Sequence, residues 1–450
     1  MTVEKAGEKI VKLLARDGWQ AFFVGGIVRN KILKRPSDNV DIATDATPDA
    51  IEAILQKTGI KPKPIGKKYG SILAIVDTVP VEITTFRSEG RYSDNRHPDQ
   101  VEFIKDYLHD AKRRDFTINA LYFDPISKKI FDPTNGLKDM KGKLLRFVGD
   151  PKKRIDEDAL RMLRGVRLAT QLGFKFEKNT FAAIKTRAKY IQGISGERVK
   201  AELDKILLSE NRVLGLKLLK QTGLLKFISP ELDGLDKISH KSRLFHLEGS
   251  IFDHTMLCLE VIKKESDLDL IYATLFHDAG KISTGQRKFK RGEWAISFPG
   301  HQEVSAEIFR KFAIKYKFPR KNSGLIHWLI QSHDDWKFFA PELQEKKAIR
   351  LLLDPRYPIL LKLWLADKGG NIRKNTSTSN QIKGGAIAEK MFNVVMKKKS
   401  LLDKLATGDL IMKYSKLKPG KQLGAKIDDV KIQIVLGNIK NERDLKKFLS

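Results

Sequence analysis

The chain is short of several features that would each have fixed its class. It has one cysteine, Cys258, among 450 residues, so it cannot form an internal disulfide and suits a reducing, cytoplasmic setting. No apolar run approaches the ~20 residues that span a bilayer, which argues against a membrane partner. The opening stretch MTVEKAGEKIVKLLARDGW sets Glu4, Glu8 and Asp17 among its lysines, where a signal peptide would carry a continuous apolar core. It reads instead as a first helix. Internal repeats and coiled-coil heptads are missing as well. Negative charge is also scarce: 55 Asp and Glu face 85 Lys and Arg, a net charge of +30. Such an excess favours a polyanionic partner, nucleic acid first, although a merely basic soluble protein would share it. With 41% hydrophobic and 31% charged residues the chain is globular, and its length suits about three domains.

Strand-like runs (AFFVGG, NVDIAT, SILAIV, VEITTF, ALYFD) alternate with helical segments early in the chain, predicting an α+β head domain over residues 1–147. From about Asp150 the pattern turns helical, with Ile155, Ala159, Leu163 and Val166 on one stripe, predicting a helical neck and body over 148–235. The periodicity breaks around SPELDGLDKISHKS, and a second helical region from about Phe245 to Lys368 places another domain at 236–370. After GGNIRKNTSTSNQ, residues 371–450 read as a lysine-rich linker and a tail of two or three short helices.

After the strand AFFV, Gly25 and Gly26 let the backbone approach a ligand, and the next helix offers its positive end to a phosphate. Arg29 lies in the first turn, where it reaches the same anion. Such turns often serve packing alone. In NVDIAT, Asn39 and Asp41 share one face while Val40 and Ile42 point to the core; VEITTF sets Glu82 between Val81 and Ile83. Singly, each acid reads as a solvated strand-end carboxylate. Together, beside a phosphate cradle, they suit two-metal phosphoryl transfer.

FFVGGIVRNKIL, NVDIATDATP, VEITTFRSEGRYSDNRHPDQVEF, KRRDFTINALYFDP and RIDEDALRMLRGVRLATQLGF occur in the order seen in class II tRNA nucleotidyltransferases and bacterial poly(A) polymerases, which this chain resembles over at least residues 20–175. The resemblance implies a DNA polymerase β-like head. It assigns Gly26, Arg29 and Arg114, with Asp115 and Asn119, to the nucleotide, and Asp41 and Glu82 to catalytic Mg²⁺. The family carries two aspartates two residues apart, and Asn39 stands at the first position, where its amide oxygen could ligate without a charge. Asp38 faces the other way unless the strand is bulged. The polar loop SEGRYSDNRHPD implies addition of the final A, with Asn95 in place of the family's glycine.

Asp158 and Arg161, three apart, read as neighbours on one helix. The plain reading is an intrahelical salt bridge. The functional one is a base-reading edge, since cytosine and adenine both present an amino donor beside a ring-nitrogen acceptor, and guanine and uracil present the reverse. The family gives this role to the same positions. Arg164 and Arg167 continue the stripe, suited to triphosphate or RNA.

A second constellation, IFDHTM, LFHDAGK, FPGHQE, IQSHDDW and LWLADKGG, supplies His254, His277, Asp278, His301, His333 and Asp367. The first His, the His–Asp pair and the distant Asp resemble the HD phosphohydrolase domain, implying a divalent transition metal or Mg²⁺. His301 and His333 would permit a second ion. The tail resembles the family's RNA-binding segment. The resemblance thus implies metal-dependent addition of C, C and A to the 3′ end of tRNA from CTP and ATP. The alternatives are poly(A), CC or A addition, or an HD phosphohydrolase whose disabled head only binds RNA. The oligomeric state is left open.

Overall fold

A computed structural model of the chain describes residues 1–90, 100–239, 249–263, 267–290, 293–335, 345–371, 389 and 391–450. Asn95 and most of the SEGRYSDNRHPD loop lie outside the described residues, as does most of the linker after GGNIRKN. The chain forms two compact units, Met1–Ile228 and Ser229–Ser450.

The first unit opens with α1 (Val3–Arg16), capped by the Thr2 hydroxyl on the Lys5 N–H, with Glu4 in its first turn and Arg16 in its last. Its buried stripe Ala6, Ile10, Val11 and Leu14 includes Gly7, where a Cβ would meet the Phe23 ring and Val40 at 2.7–2.8 Å. Glycine is what lets α1 lie flat on the sheet. The strands are β1 (Ala21–Val24), β2 (Val40–Thr44), β3 (Pro62–Gly66), β4 (Ser71–Val76), β5 (Val79–Thr85), β6 (Arg87–Glu89), β7 (Val101–Phe103), β8 (Tyr122–Phe123) and β9 (Ile130–Phe131). Seven of them form one sheet in the order β3-β4-β5-β2-β1-β8-β9, while β6 pairs with β7. Every pair in the large sheet is antiparallel except β2 with β5, whose parallel crossover runs through a helix at Pro48–Lys57, β3 and β4.

Because β1 is covered on both faces, all four of its residues are buried and no alternation survives. Phe23 packs under α1, while Phe22 and Val24 join Ala43, Phe86, Ala111 and Tyr122 in a second cluster. In β2 and β5, Val40, Ile42, Val81 and Ile83 are buried, and Asp41 and Glu82 point the other way.

The stripe Ile155, Ala159, Leu163 and Val166 is buried as expected, but it spans two helices, Pro151–Glu157 and Leu160–Leu172. Asp158 between them is extended, at φ −149° and ψ 105°, and its carboxylate accepts the Leu160 N–H. A side chain that bonds forward to the backbone competes with the helix that precedes it.

Among the described residues the second unit is mainly helical, with a hairpin that the sequence pattern does not announce, Gln286–Lys290 paired with Glu293–Ser297. Among the described residues the tail holds more helix than the two or three short helices expected, including Lys399–Leu405, Gly408–Ser415, Lys421–Leu436 and Glu442–Leu449. Leu405, Ile411, Val430, Ile434 and Leu445 give it a core of its own.

Candidate functional site

The first site is built where β1 ends. Gly25 takes φ +72° and ψ −131°, a conformation other residues avoid, and a Cβ there would sit 3.4 Å from Asp41 Oδ2. The turn thereby presses its backbone against the β2 carboxylate and starts the helix Gly26–Ile32. Asp41 is paired in register with Val24 on one side and Glu82 on the other. Burial, and then the Glu82 charge, push its pKa up to about 6. Asn39 donates from Nδ2 to Asp41 Oδ1 at 3.2 Å. The ladder from Val40 to Thr44 is regular, and Asp38 stays exposed outside it. A bulge that would bring Asp38 into the site is therefore absent.

These groups open onto a cavity of about 430 Å³. It collects Gly25, Gly26, Arg29, Asn39, Asp41, Arg114, Asp115, Asn119, Asp158, Arg161, Arg164 and Arg167, all expected from the sequence, and adds Arg113 and Leu168. Glu82 is exposed beside Asp41 and is not part of the lining. Arg29 gives Nη1 to Asn119 Oδ1 at 2.6 Å, and burial lowers its pKa to about 10. Asp115 accepts from Arg164 Nη2 at 2.7 Å, from Asn119 and from the Phe116 N–H. Burial works against its charge, yet Arg164 and those donors hold its pKa at about 2. Arg164 Nε is buried without a partner. Arg114 commits Nε and Nη2 to Asp110 and Tyr122, so it supports the cavity wall as well as lining it.

Asp158 lies outside the helix that carries Arg161; the Arg161 N–H donates to the Asp158 carbonyl at 3.0 Å, while their side chains are held by other residues. Asp158 Oδ2 accepts from Arg198 Nη2 at 2.8 Å, while Arg161 Nη1 is held by Glu157 and the Arg154 carbonyl. Each is braced by a third residue, and both still face the cavity. Arg167 is braced likewise, on Glu202 at 2.6 Å. Glu157 and Arg154 lie four and seven residues before Arg161, whereas no local spacing announces Arg198, 40 residues from Asp158.

The second site draws all six expected residues together. His254 lies on Ile251–Val261, His277 and Asp278 at the end of Leu268–Phe276, His301 at the start of His301–Lys315, His333 at the end of Arg320–Ser332, and Asp367 on Tyr357–Gly369. Nδ1 of His277, His301 and His333 lies 2.7, 2.8 and 2.6 Å from the carbonyls of Thr274, Phe298 and Ile330, and that of His254 lies 3.3 Å from Gly370 O. Each Nε2 is thereby turned inward. His254 Nε2 lies 3.0 Å from Asp367 Oδ1, and His301 Nε2 lies 3.1 Å from His333 Nε2.

The ligand atoms fall into two groups, His254, Cys258, His277 and Asp367, and Asp278, His301 and His333. Asp278 nevertheless faces both groups, its Oδ2 lying 3.3 Å from His277 Nε2 and 3.8 Å from His254 Nε2. Its Oδ1 is 3.4 Å from His301 Nε2, and Lys281 holds Oδ2 at 2.7 Å. His277 Nε2 is buried with two carboxylates near it, Asp278 Oδ2 at 3.3 Å and Asp367 Oδ1 at 3.7 Å. Inward lone pairs and carboxylates with so few donors fit a divalent cation. Cys258, which the sequence pattern did not single out for this centre, lies beside the first group, one helical turn after His254.

Residues 21–146 match the family model of the poly A polymerase head domain, 173–235 that of the probable RNA and SrmB-binding site of polymerase A, and 250–355 that of the HD domain. Among curated proteins the chain is similar to the CCA-adding enzyme of Staphylococcus epidermidis, at 36% identity over 58% of this chain and 62% of that one. It is also similar to that of Enterococcus faecalis, at 41% identity over 50% and 53%. The alignments span between about half and three fifths of these relatives' lengths. In fold it matches the Bacillus stearothermophilus CCA-adding enzyme solved in complex with CTP, with a TM-score of 0.69 and 24% identity, covering 99% of this chain and 96% of that one. Among the described residues no helix is long and apolar enough to cross a membrane.

Proposed function

We propose that this chain is a cytoplasmic, metal-dependent tRNA nucleotidyltransferase that adds C, C and A in turn to the 3′ end of tRNA from CTP and ATP. Its head is residues 1–147, its neck and body 148–235, its HD domain 236–370 and its RNA-binding tail 371–450. One observation carries the reading: a single cavity joins the glycine turn, a set of arginines and the Asp158–Arg161 edge to Asp41, within a segment that matches the poly A polymerase head.

The triphosphate would be met by the backbone N–H groups at Gly25 and Gly26 and by Arg29, Arg164 and Arg167. The buried, unpartnered Arg164 Nε is a donor that a phosphate oxygen would satisfy. Asp41, Glu82 and the Asn39 amide oxygen would hold Mg²⁺, which relieves the charge that burial and Glu82 make unfavourable on Asp41. When bound, the ions supply activation of the RNA 3′-hydroxyl and charge compensation for the leaving pyrophosphate. Asp158, fixed by Arg198, accepts from the exocyclic amino group of C or A. Arg161, fixed by Glu157, donates to the adjacent ring nitrogen, and G or U would leave both unsatisfied. The HD centre holds divalent metal and supports a second, phosphohydrolase activity.

Incubating the protein with tRNA lacking CCA, with CTP and ATP separately and together, tests this. C and C from CTP alone and CCA from both are expected. Incorporation of A alone or in long runs selects the poly(A) or A-adding alternatives, and of neither nucleotide the disabled head.

A further inference from the structure

Both ends of the segment between Lys281 and His301 are built into the HD centre, and no step of nucleotide addition uses what lies between them. Lys281 holds Asp278 Oδ2 at 2.7 Å and lies over the Phe298 ring, whose residue places its carbonyl 2.8 Å from His301 Nδ1. Between them runs the hairpin of Gln286–Lys290 and Glu293–Ser297. Phe289 is paired in register with Trp294 and Arg287 with Ile296, so strand alternation sets these four side chains on one face.

That face is turned to solvent. Phe289 is 62% exposed and Trp294 65%, the two most exposed aromatic rings among the described residues, and Ile296 is 45% exposed. Single exposed apolar side chains are ordinary, but three side by side on a two-stranded ribbon, which is marginal by itself, call for a partner. The two rings meet edge to face with centroids 5.5 Å apart, and the Arg287 guanidinium lies 5.5 Å from the centre of the Trp294 ring. The rings are thus held in place while most of their surface stays uncovered.

The charge around the rings selects the partner. Residues 286–297 carry four Lys or Arg and one Glu. Arg287 and Lys288 are both exposed. A lipid surface or an apolar protein face would call for a broader, unbroken apolar band. Aromatic faces interleaved with cations match a polyanion that carries flat, unpaired bases, as single-stranded nucleic acid does. Trp294 precedes Phe298 by four residues, which in an extended strand is roughly 13 Å. That is the rise of about four stacked nucleotides.

We propose that this hairpin is a stacking platform for single-stranded RNA. Phe289 and Trp294 hold bases, Arg287 and Lys288 meet phosphates, and the end of the strand lies at the HD centre. The inference rests on the phosphohydrolase reading of that centre and deepens it: the substrate is an RNA end, such as a 2′,3′-cyclic phosphate, in place of a free mononucleotide. Hydrolysis adds water across one P–O bond of the ring and leaves a phosphomonoester and a free hydroxyl.

The test compares a short single-stranded oligonucleotide ending in a 2′,3′-cyclic phosphate with the cyclic mononucleotide, on the full-length chain supplied with divalent metal. The unaltered chain should favour the oligonucleotide in kcat/KM. Trp294→Ala should lower that preference by about 5- to 150-fold, the worth of one stacked base, and Arg287→Gln should flatten its salt dependence. Equal kcat/KM for the two substrates, or a preference that survives the double variant Phe289→Ala/Trp294→Ala, overturns the platform and leaves the phosphohydrolase reading standing. If neither substrate is hydrolysed that reading falls, and the platform is decided by photocrosslinking an oligonucleotide that carries 4-thiouridine. Crosslinks at Phe289 or Trp294 support it, and crosslinks confined to other segments overturn it. Anionic phospholipid vesicles that bind the unaltered chain but not the double variant, without those crosslinks, would make the face a lipid contact and overturn it as well.

Discussion

Asn39→Asp should make the head site hold Mg²⁺ more tightly. The Asn39 amide donates to Asp41 across 3.2 Å, so the substitution exchanges a hydrogen bond for two like charges at that spacing. Without an ion the change is unfavourable and raises the Asp41 pKa beyond about 6. With a divalent ion it becomes favourable. Unit charges 4 Å apart interact by about 1 kcal/mol in water and about 4 kcal/mol at an effective dielectric of 20. Asn39 is exposed and Asp41 half-buried, so the lower half of that range applies. Doubling the attraction for a divalent ion and subtracting the carboxylate repulsion leaves about 1–2 kcal/mol, or roughly a 5- to 30-fold lower Mg²⁺ requirement.

The sign of the pH dependence follows from Asp41. Its raised pKa means that the carboxylate is lost to protonation as pH falls through about 6, so Mg²⁺ demand climbs below that point. In Asn39→Asp the climb begins at higher pH, and the gain is largest near pH 8 and shrinks towards pH 6.5. The assay is a Mg²⁺ titration of nucleotide addition at both pH values for the unaltered chain, Asn39→Asp and Asp38→Asn. Asp38 is exposed and outside the regular ladder, so its variant should behave as the parent. If Asp38→Asn abolishes addition while Asn39→Asp changes nothing, the assignment of the ligand positions is refuted.

Asp158→Ala removes the amino-group acceptor and should cut discrimination against GTP and UTP by about 10- to 100-fold, the equivalent of one buried hydrogen bond; unchanged preference in single-turnover competition would take base selection away from this residue. Asp278→Ala should abolish phosphodiesterase activity on 2′,3′-cyclic nucleotides and leave nucleotide addition nearly intact, since the two centres lie in separate compact units; parallel loss of both in side-by-side assays would make the HD metal structural for the whole chain. Gly25→Ala forces a Cβ into a glycine-only conformation 3.4 Å from Asp41 Oδ2, so thermal melting should show about 1–3 kcal/mol of lost stability together with a lower kcat, and a variant equal to the parent in both would contradict the close approach.

The longer strands β2, β4 and β5 were legible from alternation and β-branched content, and β1 and β8 from compact apolar, aromatic runs. The short or edge pieces were not: PKPIG in β3 carries two prolines and reads as loop, and β6, β7 and β9 are only two or three residues long. The hairpin strand QRKFK is dense in charge, which hides it from hydrophobic patterning. At EDALR the apolar stripe was right and the continuous helix was not, because a helix period says nothing of a carboxylate that bonds forward to Leu160. The residues that gather at the head cavity and in the HD cluster were legible as candidates because phosphate and metal chemistry restrict residue types. Their braces, such as Arg198 on Asp158, depend on folding distance alone.

The candidate HD ligands are gathered from five separate places between His254 and Asp367, and that dispersal has a thermodynamic consequence. An ion gripped by those two residues closes a loop 113 residues long, and a cross-link of that span takes about 4–5 kcal/mol of chain entropy out of the unfolded state. Binding energy at the centre is thus folding energy for the second unit. Starved of metal, the chain would not simply work more slowly at that site: its second half would open and become food for proteases, so scarcity of the ion would register as a fall in protein abundance.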